Sequence, residues 1–310
     1  MSRDWASLEI DRKARAYAPA QPVVKQEADV RLTHFDEIYG VFDADVAQIE
    51  AARCIQCPDP APCQLACPLG NDIPIALRLI EEGRFIEAAN VFRQTSPMPE
   101  ICSRVCPQER LCEGSCTHGG GVSNAPILIG KLEKFVTELQ YATEGIPLGT
   151  VAPDTGKRVA LVGGGPAGMA AAELLRREGH AVTVYDANPH PGGLLIYGIP
   201  AFKLSKQRVV RKVEQLQALG ITFVQNTRVG QDISLQTLCD ENDAVFVGVG
   251  ANVDAPAKWE GVELTGVFQA GEFLIRANVP IELQPETLRA DGVPPVGRHV
   301  FVFGGGDTAM

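Results

Sequence analysis

The sequence predicts a helical, cysteine-rich domain followed by an α/β domain with a largely parallel sheet. Three observations carry this. Eight of the nine cysteines lie between 54 and 116. Apolar residues recur at helical spacing through the first half. From 158 onward short apolar strands alternate with helical stretches, and that alternation is the mark of βαβ construction.

Residues 1–35 are polar and irregular and read as an arm that packs on something else. From 36 to 145 the pattern is helical. Ile73, Leu77 and Ile80 make one stripe, and Phe85, Ala89 and Phe92 make a second, with Gly83 as the break between them. Leu128, Leu132, Phe135 and Leu139 form another. The Gly-, Pro- and Thr-rich stretch TEGIPLGTVAPDTGK reads as a linker, centred on 146–157. RVALVG (158–163) then reads as a buried strand, AGMAAAELLRREG (167–179) as a helix closed by Gly179, and HAVTVYD (180–186) as a second strand. A helix fits between Ser205 and Leu219, with Val209, Val213 and Leu216 on one face. ITFVQNT (221–227) and DAVFVGVG (243–250) are further strands, in a domain running to about 297. HVFVFG (299–304) repeats the opening strand-and-glycine pattern, so 298–310 reads as the start of a second unit of the same kind.

The net charge of −10 argues against nonspecific nucleic-acid binding and against anionic membranes, because both need basic surface. The N-terminus MSRDWASLEIDRKARAY has no apolar core of a secretory signal, and no run reaches a membrane-spanning length. The expected location is the cytoplasm, where thiols stay reduced. A dense cysteine cluster there points to metal binding rather than disulfides.

The first run is C-x2-C-x5-C-x3-C-P, formed by Cys54, Cys57, Cys63 and Cys67. The second is C-x3-C-P-x4-C-x3-C, formed by Cys102, Cys106, Cys112 and Cys116. Thiolates suit zinc or iron–sulfur clusters. The tight packing and the Cys-Pro endings resemble ferredoxins, in which the cysteine before proline serves the other cluster. By that logic Cys67 joins the second of two [4Fe–4S] clusters, and eight cysteines supply eight ligands. Zinc and inert buried thiols are the alternatives. Cys239, alone in an amphipathic segment, reads as a core thiol.

GGGPAG (163–168) fits G-x-G-x-x-G through Gly163, Gly165 and Gly168, with Pro166 and Ala167 opening the helix. The glycines permit a tight turn, close approach of a pyrophosphate, and close helix–strand packing. The helix N-terminus offers free N–H groups to the phosphates. Asp186, at the end of the second strand, stands where a ribose hydroxyl acceptor belongs. Downstream, the glycine pair in PGGLLIYGIPAFKL (191–204) allows backbone to approach an isoalloxazine, and Lys203 is placed to meet a flavin or phosphate oxygen.

The stretches FDEIY (35–39), MPEICSRVCPQERLCEGSC (98–116), GGLLIYGIPAFKL (192–204), DAVFVGVG (243–250) and GGGDTAM (304–310) together resemble the small subunit of NADPH-dependent glutamate synthase. Related machines are the N-terminal half of dihydropyrimidine dehydrogenase and the flavoprotein subunits of sulfide dehydrogenase and ferredoxin:NADP oxidoreductase. The resemblance implies a helical domain with two [4Fe–4S] clusters, a Rossmann-type FAD domain and the start of a Rossmann-type NAD(P)H domain. It implies one cluster on Cys54, Cys57, Cys63 and Cys116. The other would rest on Cys67, Cys106, Cys112 and Glu133, the last from the helix around ILIGKLEKF (127–135). Cys102 would then pack without ligating. The spacer between Cys57 and Cys63 is one residue longer than the family pattern.

For FAD the resemblance implies Gly163 to Gly168, Asp186, Gly193, Leu194, Lys203 and Val229. For NAD(P)H it implies Gly304, Gly306, Asp307 and Thr308. The implied chemistry passes electrons from NADPH (or NADH) through FAD and the clusters to a partner. In glutamate synthase that partner is a large subunit that makes glutamate from glutamine and 2-oxoglutarate. The alternatives are the same module serving another acceptor, or a non-catalytic cofactor-binding scaffold. FVFGGGDTAM reads as a cut through a longer flavoprotein. A chain cut there is expected to retain FAD weakly and not to turn over NADPH.

Overall fold

The computed structural model describes residues 9–119, 125–145, 147–251, 254–255, 258–306 and 308–309. It comprises two compact units. One contains residues up to Pro147 together with Phe202–Leu204; the other contains Leu148–Ala201 and the residues from Ser205 on.

The first unit is helical. Its arm carries α1 (Arg12–Tyr17) and α2 (Ala28–Arg31), and its body carries α3 (Ala44–Ala52), α4 (Pro62–Ala66), α5 (Ile73–Glu81), α6 (Phe85–Thr95), α7 (Pro99–Val105) and α8 (Ile129–Glu144). Asp43 caps α3 by accepting from the Val46 N–H (2.8 Å), and Asp72 stands at the N-cap of α5 with Pro74 in its first turn. Gly83, at φ +75°, turns the chain between α5 and α6, where a break was expected. The predicted stripes are the buried ones. Ile73, Leu77, Ile80, Ala89, Phe92, Leu132 and Phe135 share one core with Ala47 and Ala51 of α3. Phe85 meets Phe135 edge to face, with ring centroids 5.0 Å apart. Burying each large side chain of this set contributes about 1.5–3 kcal/mol.

The arm packs on this same helical body. Arg15 pairs with Glu81 (2.6 Å) and donates to the Cys54 carbonyl (3.0 Å). A buried pair, Glu50 with Arg53, fastens two passing segments. Arg53 donates to the carbonyls of Ala18 (3.0 Å) and Ala125 (2.7 Å), while Glu50 accepts from the N–H groups of Gln21 (2.8 Å) and Leu128 (3.0 Å). Both ions therefore have their remaining hydrogen bonds satisfied, the condition under which a buried pair is tolerated.

The second unit is built on four parallel strands: β1 (Arg158–Val162), β2 (Ala181–Tyr185), β3 (Thr222–Val224) and β4 (Ala244–Val247), in the order β3-β2-β1-β4. Arg158 pairs with Ala181 on one side of β1, and Val159 pairs with Ala244 on the other. The chain steps outward from β1 to β3 and then returns to the far side of β1. That reversal opens a crevice at the carboxyl ends of β1 and β4, where dinucleotides bind in such sheets. α9 (Pro166–Arg177) follows β1, and α11 (Lys206–Ala218) lies between β2 and β3 in sequence. As expected, α11 buries Val209, Val213 and Leu216. The short α10 (Leu194–Tyr197), α12 (Leu235–Glu241), α13 (Ala270–Asn278) and α14 (Glu286–Arg289) complete the unit.

Two expectations need correction. Residues 299–304 form no strand. Val300, Phe301, Val302 and Phe303 are 60–85% exposed, and no strand pairs with them among the described residues. A strand is held by a ladder, and an apolar run without a partner has none. Cys239 is exposed rather than a core thiol. The phase of α12 turns the preceding residue, Leu238, into the core instead.

A charged knot lies under α9. Glu173, 1% exposed, pairs with Arg177 (2.5 Å) and with Lys212 of α11, whose ammonium also donates to Gln215 (2.9 Å). Glu173→Ala is expected to destabilise the second unit by about 3–5 kcal/mol, because it leaves the Lys212 ammonium buried without its carboxylate. Denaturant unfolding of the variant checks this, and adding Lys212→Met is expected to restore part of the loss.

Candidate cofactor sites

Cys54 and Cys57 follow α3, Cys63 lies inside α4, and Cys116 lies in the turns after α7. These four line one concavity with Ile55, Ala61, Leu77, Thr117 and His118. The extra residue in the Cys57–Cys63 spacer does not pull Cys63 away from the group. Burial, and then the neighbouring thiols, push the Cys54 and Cys63 thiols up to about 12. Burial in apolar surroundings favours the protonated form of Cys54 and Cys63 until a metal replaces the protons.

Local backbone is arranged around the sulfurs. Gln56 adopts φ +52°, rare for a residue with a side chain, and its backbone N–H bonds the Cys54 sulfur. Its side chain is fixed by donation to the Pro74 carbonyl (3.0 Å). The turn's strain is thus supported by packing on α5.

Cys67 is the C-cap of α4, Cys106 is the C-cap of α7, Cys112 follows α7, and Glu133 lies on α8. They face one another: the charges of Glu133, Cys112 and Cys67 all act on Cys106, and those of Glu133 and Cys67 act on Cys112. Glu133 is 6% exposed, and its Oε1 has no hydrogen-bond partner. Burial, and then the nearby Cys102 and Glu100 charges, raise its pKa well above the usual carboxyl value. An orphaned buried carboxyl is costly in isolation, and beside three thiols it reads as a ligand awaiting a cation. Cys102 stands one helical turn before Cys106. Its sulfur lies 3.7 Å from the Ser96 hydroxyl, and its thiol hydrogen-bonds Cys106, which is the first cause lowering the Cys106 pKa.

The two groups share α4, with Cys63 in one and Cys67 in the other. Four residues of helix separate them by about 6 Å of rise. All nine cysteines are free thiols. Among the described residues, no three His, Cys, Asp or Glu side chains converge as a single ion requires. Zinc needs its four ligands within about 2.0–2.3 Å of one point. A cubane takes each thiolate on a different iron, and four cysteines around one concavity supply that donor set.

In the second unit the glycine turn joins β1 to α9. Gly163 has φ +103°, and a Cβ there would meet the Gly248 carbonyl oxygen at 2.4 Å, across the crevice beside β4. A Cβ on Gly168 would lie 1.9 Å from the Gly163 carbonyl oxygen, so only glycine lets α9 approach β1 this closely. Gly165 is the N-cap of α9, Pro166 begins the helix, and Ala167 follows in its first turn. Around Gly165 a Cβ would touch only the Cα of Gly193, which leaves open space where a phosphate belongs.

Asp186 is buried and holds the turn. Its Oδ2 accepts from the Gly164 N–H (2.6 Å) and its Oδ1 from the Asn188 N–H (2.8 Å). Gly193, at φ +50°, is the N-cap of α10, and the Gly192 N–H donates to the Gly164 carbonyl (2.8 Å). Leu194 is 55% exposed beside this contact. Val229 is half-buried against Ala160, Val162 and Leu238.

Lys203 falls in the first unit, where the Ile38 N–H donates to the neighbouring Phe202 carbonyl (3.0 Å). Gly304, Gly306 and Thr308 lie in the irregular terminal segment, and Asp307 lies outside the described residues. Gln56, Ser96 and Thr117 were not singled out from sequence. Their positions carry no motif, and only the fold brings them to the sulfurs.

Gly168→Ala is expected to lower dinucleotide retention more than tenfold, because α9 must move off β1 to clear the 1.9 Å overlap. Flavin content per chain measures this, and the iron content is expected to stay unchanged because the cysteines lie in the other unit.

Fold and sites together define a cysteine-rich helical unit followed by a Rossmann-type dinucleotide-binding unit. Residues 31–145 match the family "dihydropyrimidine dehydrogenase domain II, 4Fe-4S cluster", and residues 161–198 match "NAD(P)-binding Rossmann-like domain". The chain is similar over most of its length to the glutamate synthase [NADPH] small chains. It is 41% identical over 286 residues to that chain of Escherichia coli (strain K12), covering 92% of this chain and 60% of the relative. It is 38% identical over 310 residues to that of Halomonas elongata, covering 100% and 63%. AegA of Escherichia coli (strain K12), named as a candidate oxidoreductase, is 42% identical over 290 residues, covering 92% and 43%. The chain thus spans roughly two-fifths to three-fifths of the length of these relatives. Among the described residues no helix is long and apolar enough to cross a membrane.

Proposed function

We propose that this chain is the electron-input part of an NADPH-dependent glutamate synthase, acting in the cytoplasm with a large subunit as its acceptor. In this reading Cys54, Cys57, Cys63 and Cys116 hold one [4Fe–4S] cluster, and Cys67, Cys106, Cys112 and Glu133 hold another. The Gly163–Gly168 turn takes the pyrophosphate of FAD, with Asp186, Gly193, Leu194 and Val229 around it. NADPH, or NADH, is the donor, received at the segment that begins with Gly304, Gly306, Asp307 and Thr308. When bound, the flavin supplies two-electron acceptance and the clusters supply one-electron transfer.

The chain's own residues hold these groups in order. α4 spaces the two cysteine groups by one turn. The N-terminus of α9 offers N–H groups to phosphate. Apolar neighbours such as Ala61 and Leu77 limit water at the first group. The observation that carries the reading is the pairing of a four-cysteine concavity with a second group completed by an orphaned carboxyl.

The same module serving a different acceptor is the second reading, favoured by the 42% identity to AegA, whose name carries no glutamate synthase. Co-purification with a glutamate synthase large subunit, followed by NADPH-dependent glutamate formation from glutamine and 2-oxoglutarate, separates the two. NADPH oxidation with a dye but none coupled to that subunit overturns the first reading.

A further inference from the structure

The sulfurs of the first cysteine group are not equivalent in what they receive. Cys54 accepts from the backbone N–H of Gln56, Cys63 from that of Gln64, and Cys116 from those of Ile127, His118 and Gly119. Cys57 instead has a side chain as its partner. The Thr117 Oγ1 lies 3.3 Å from its Sγ, within the range of a sulfur hydrogen bond, and Thr117 lines the same concavity. A thiolate bound to iron has no proton to give, so the hydroxyl donates.

We infer that Thr117 sets the reduction potential of the first cluster by donating a hydrogen bond to the Cys57 thiolate. This rests on the assignment of Cys54, Cys57, Cys63 and Cys116 as the ligands of one cluster. Adding an electron adds negative charge, some of which resides on the thiolate sulfurs. A donor aimed at one of them stabilises the reduced state more than the oxidised state, and its presence raises the potential. Backbone donors to the other three sulfurs are fixed by the fold. The contact from Thr117 can be removed by substitution without rebuilding a turn.

The test is an EPR-monitored redox titration of the anaerobically purified protein, with dithionite as reductant, comparing wild type with Thr117→Val and Thr117→Ser. The cluster signal lost in Cys63→Ser identifies the first centre. Thr117→Val is expected to lower that centre's reduction equilibrium on the order of tenfold, about 59 mV for one electron. The second centre is expected to be unmoved and the iron content unchanged. Thr117→Ser, which keeps the hydroxyl, is expected to titrate like wild type.

Unchanged midpoints in Thr117→Val overturn the inference. So does a Thr117→Val protein that loses iron while Thr117→Ser keeps it, because the hydroxyl then holds the cage together rather than tuning it. A shift shared equally by Thr117→Ser also overturns it, since the cause is then packing of the methyl group. If wild type itself holds no [4Fe–4S] signal, the ligand assignment has failed, and that outcome is distinct from these three.

Discussion

Replacing Cys63 with serine is expected to remove about four of about eight iron atoms per chain, with a matching loss of acid-labile sulfide. Cys63 is buried in the four-cysteine concavity, and the sulfur of each member of that group faces the others. One missing thiolate leaves one iron of a cubane without its protein ligand. The second group takes no ligand from this position, so its cluster is expected to survive. The variant is also expected to unfold more easily in its first unit, because ligand–metal bonds made only in the folded state add directly to stability. Full iron content in Cys63→Ser would contradict this assignment, as would loss of all iron.

Glu133→Ala is expected to have the second large effect: loss of the other half of the iron, where Cys102→Ala keeps all of it. The two residues compete for one role, because eight cysteines would suffice by count alone. Their surroundings differ. Glu133 presents an unpartnered Oε1 beside Cys106 and Cys112, whereas Cys102 is already engaged by Ser96 and Cys106.

A second signature follows in the metal-free protein. Burial raises the Glu133 pKa above its unfolded value, so the folded state keeps a proton that the unfolded state has lost. The stability this gives is intact below the unfolded carboxyl pKa of about 4.3 and is lost as pH rises through the folded value. Metal-free Glu133→Gln is expected to lack this pH dependence and to be the more stable form at neutral pH. With the cluster in place the order is expected to reverse. Thermal unfolding of apo and cluster-loaded proteins across pH shows whether the sign changes.

Much of this architecture was legible in the sequence because it rests on local periodicity. The Ile73–Leu77–Ile80 stripe can bury its face only as a helix, and it does. The glycine turn was readable for the same reason: the overlaps at Gly163 and Gly168 leave no other residue for those positions. The cysteine runs announced metal chemistry by spacing. They did not tell which sulfurs meet, because that is decided by how α4, α7 and α8 pack.

The long-range contacts left no trace in the sequence. The left-handed Gln56 rests on Pro74 of a later helix, and Thr117 reaches Cys57 across 60 residues. The Glu50–Arg53 pair gathers the chain at Ala18, Ala125 and Leu128. The apolar run at 299–304 was misread as a strand because its composition fits one, while strand formation depends on a partner.

The central claim is that two cubanes sit on seven cysteines and one glutamate. The direct measurement is iron, sulfide and zinc per chain in anaerobically purified wild-type protein. The account predicts about eight irons, about eight sulfides and no stoichiometric zinc. Zinc in place of iron, or about four irons with both cysteine groups intact, would contradict it.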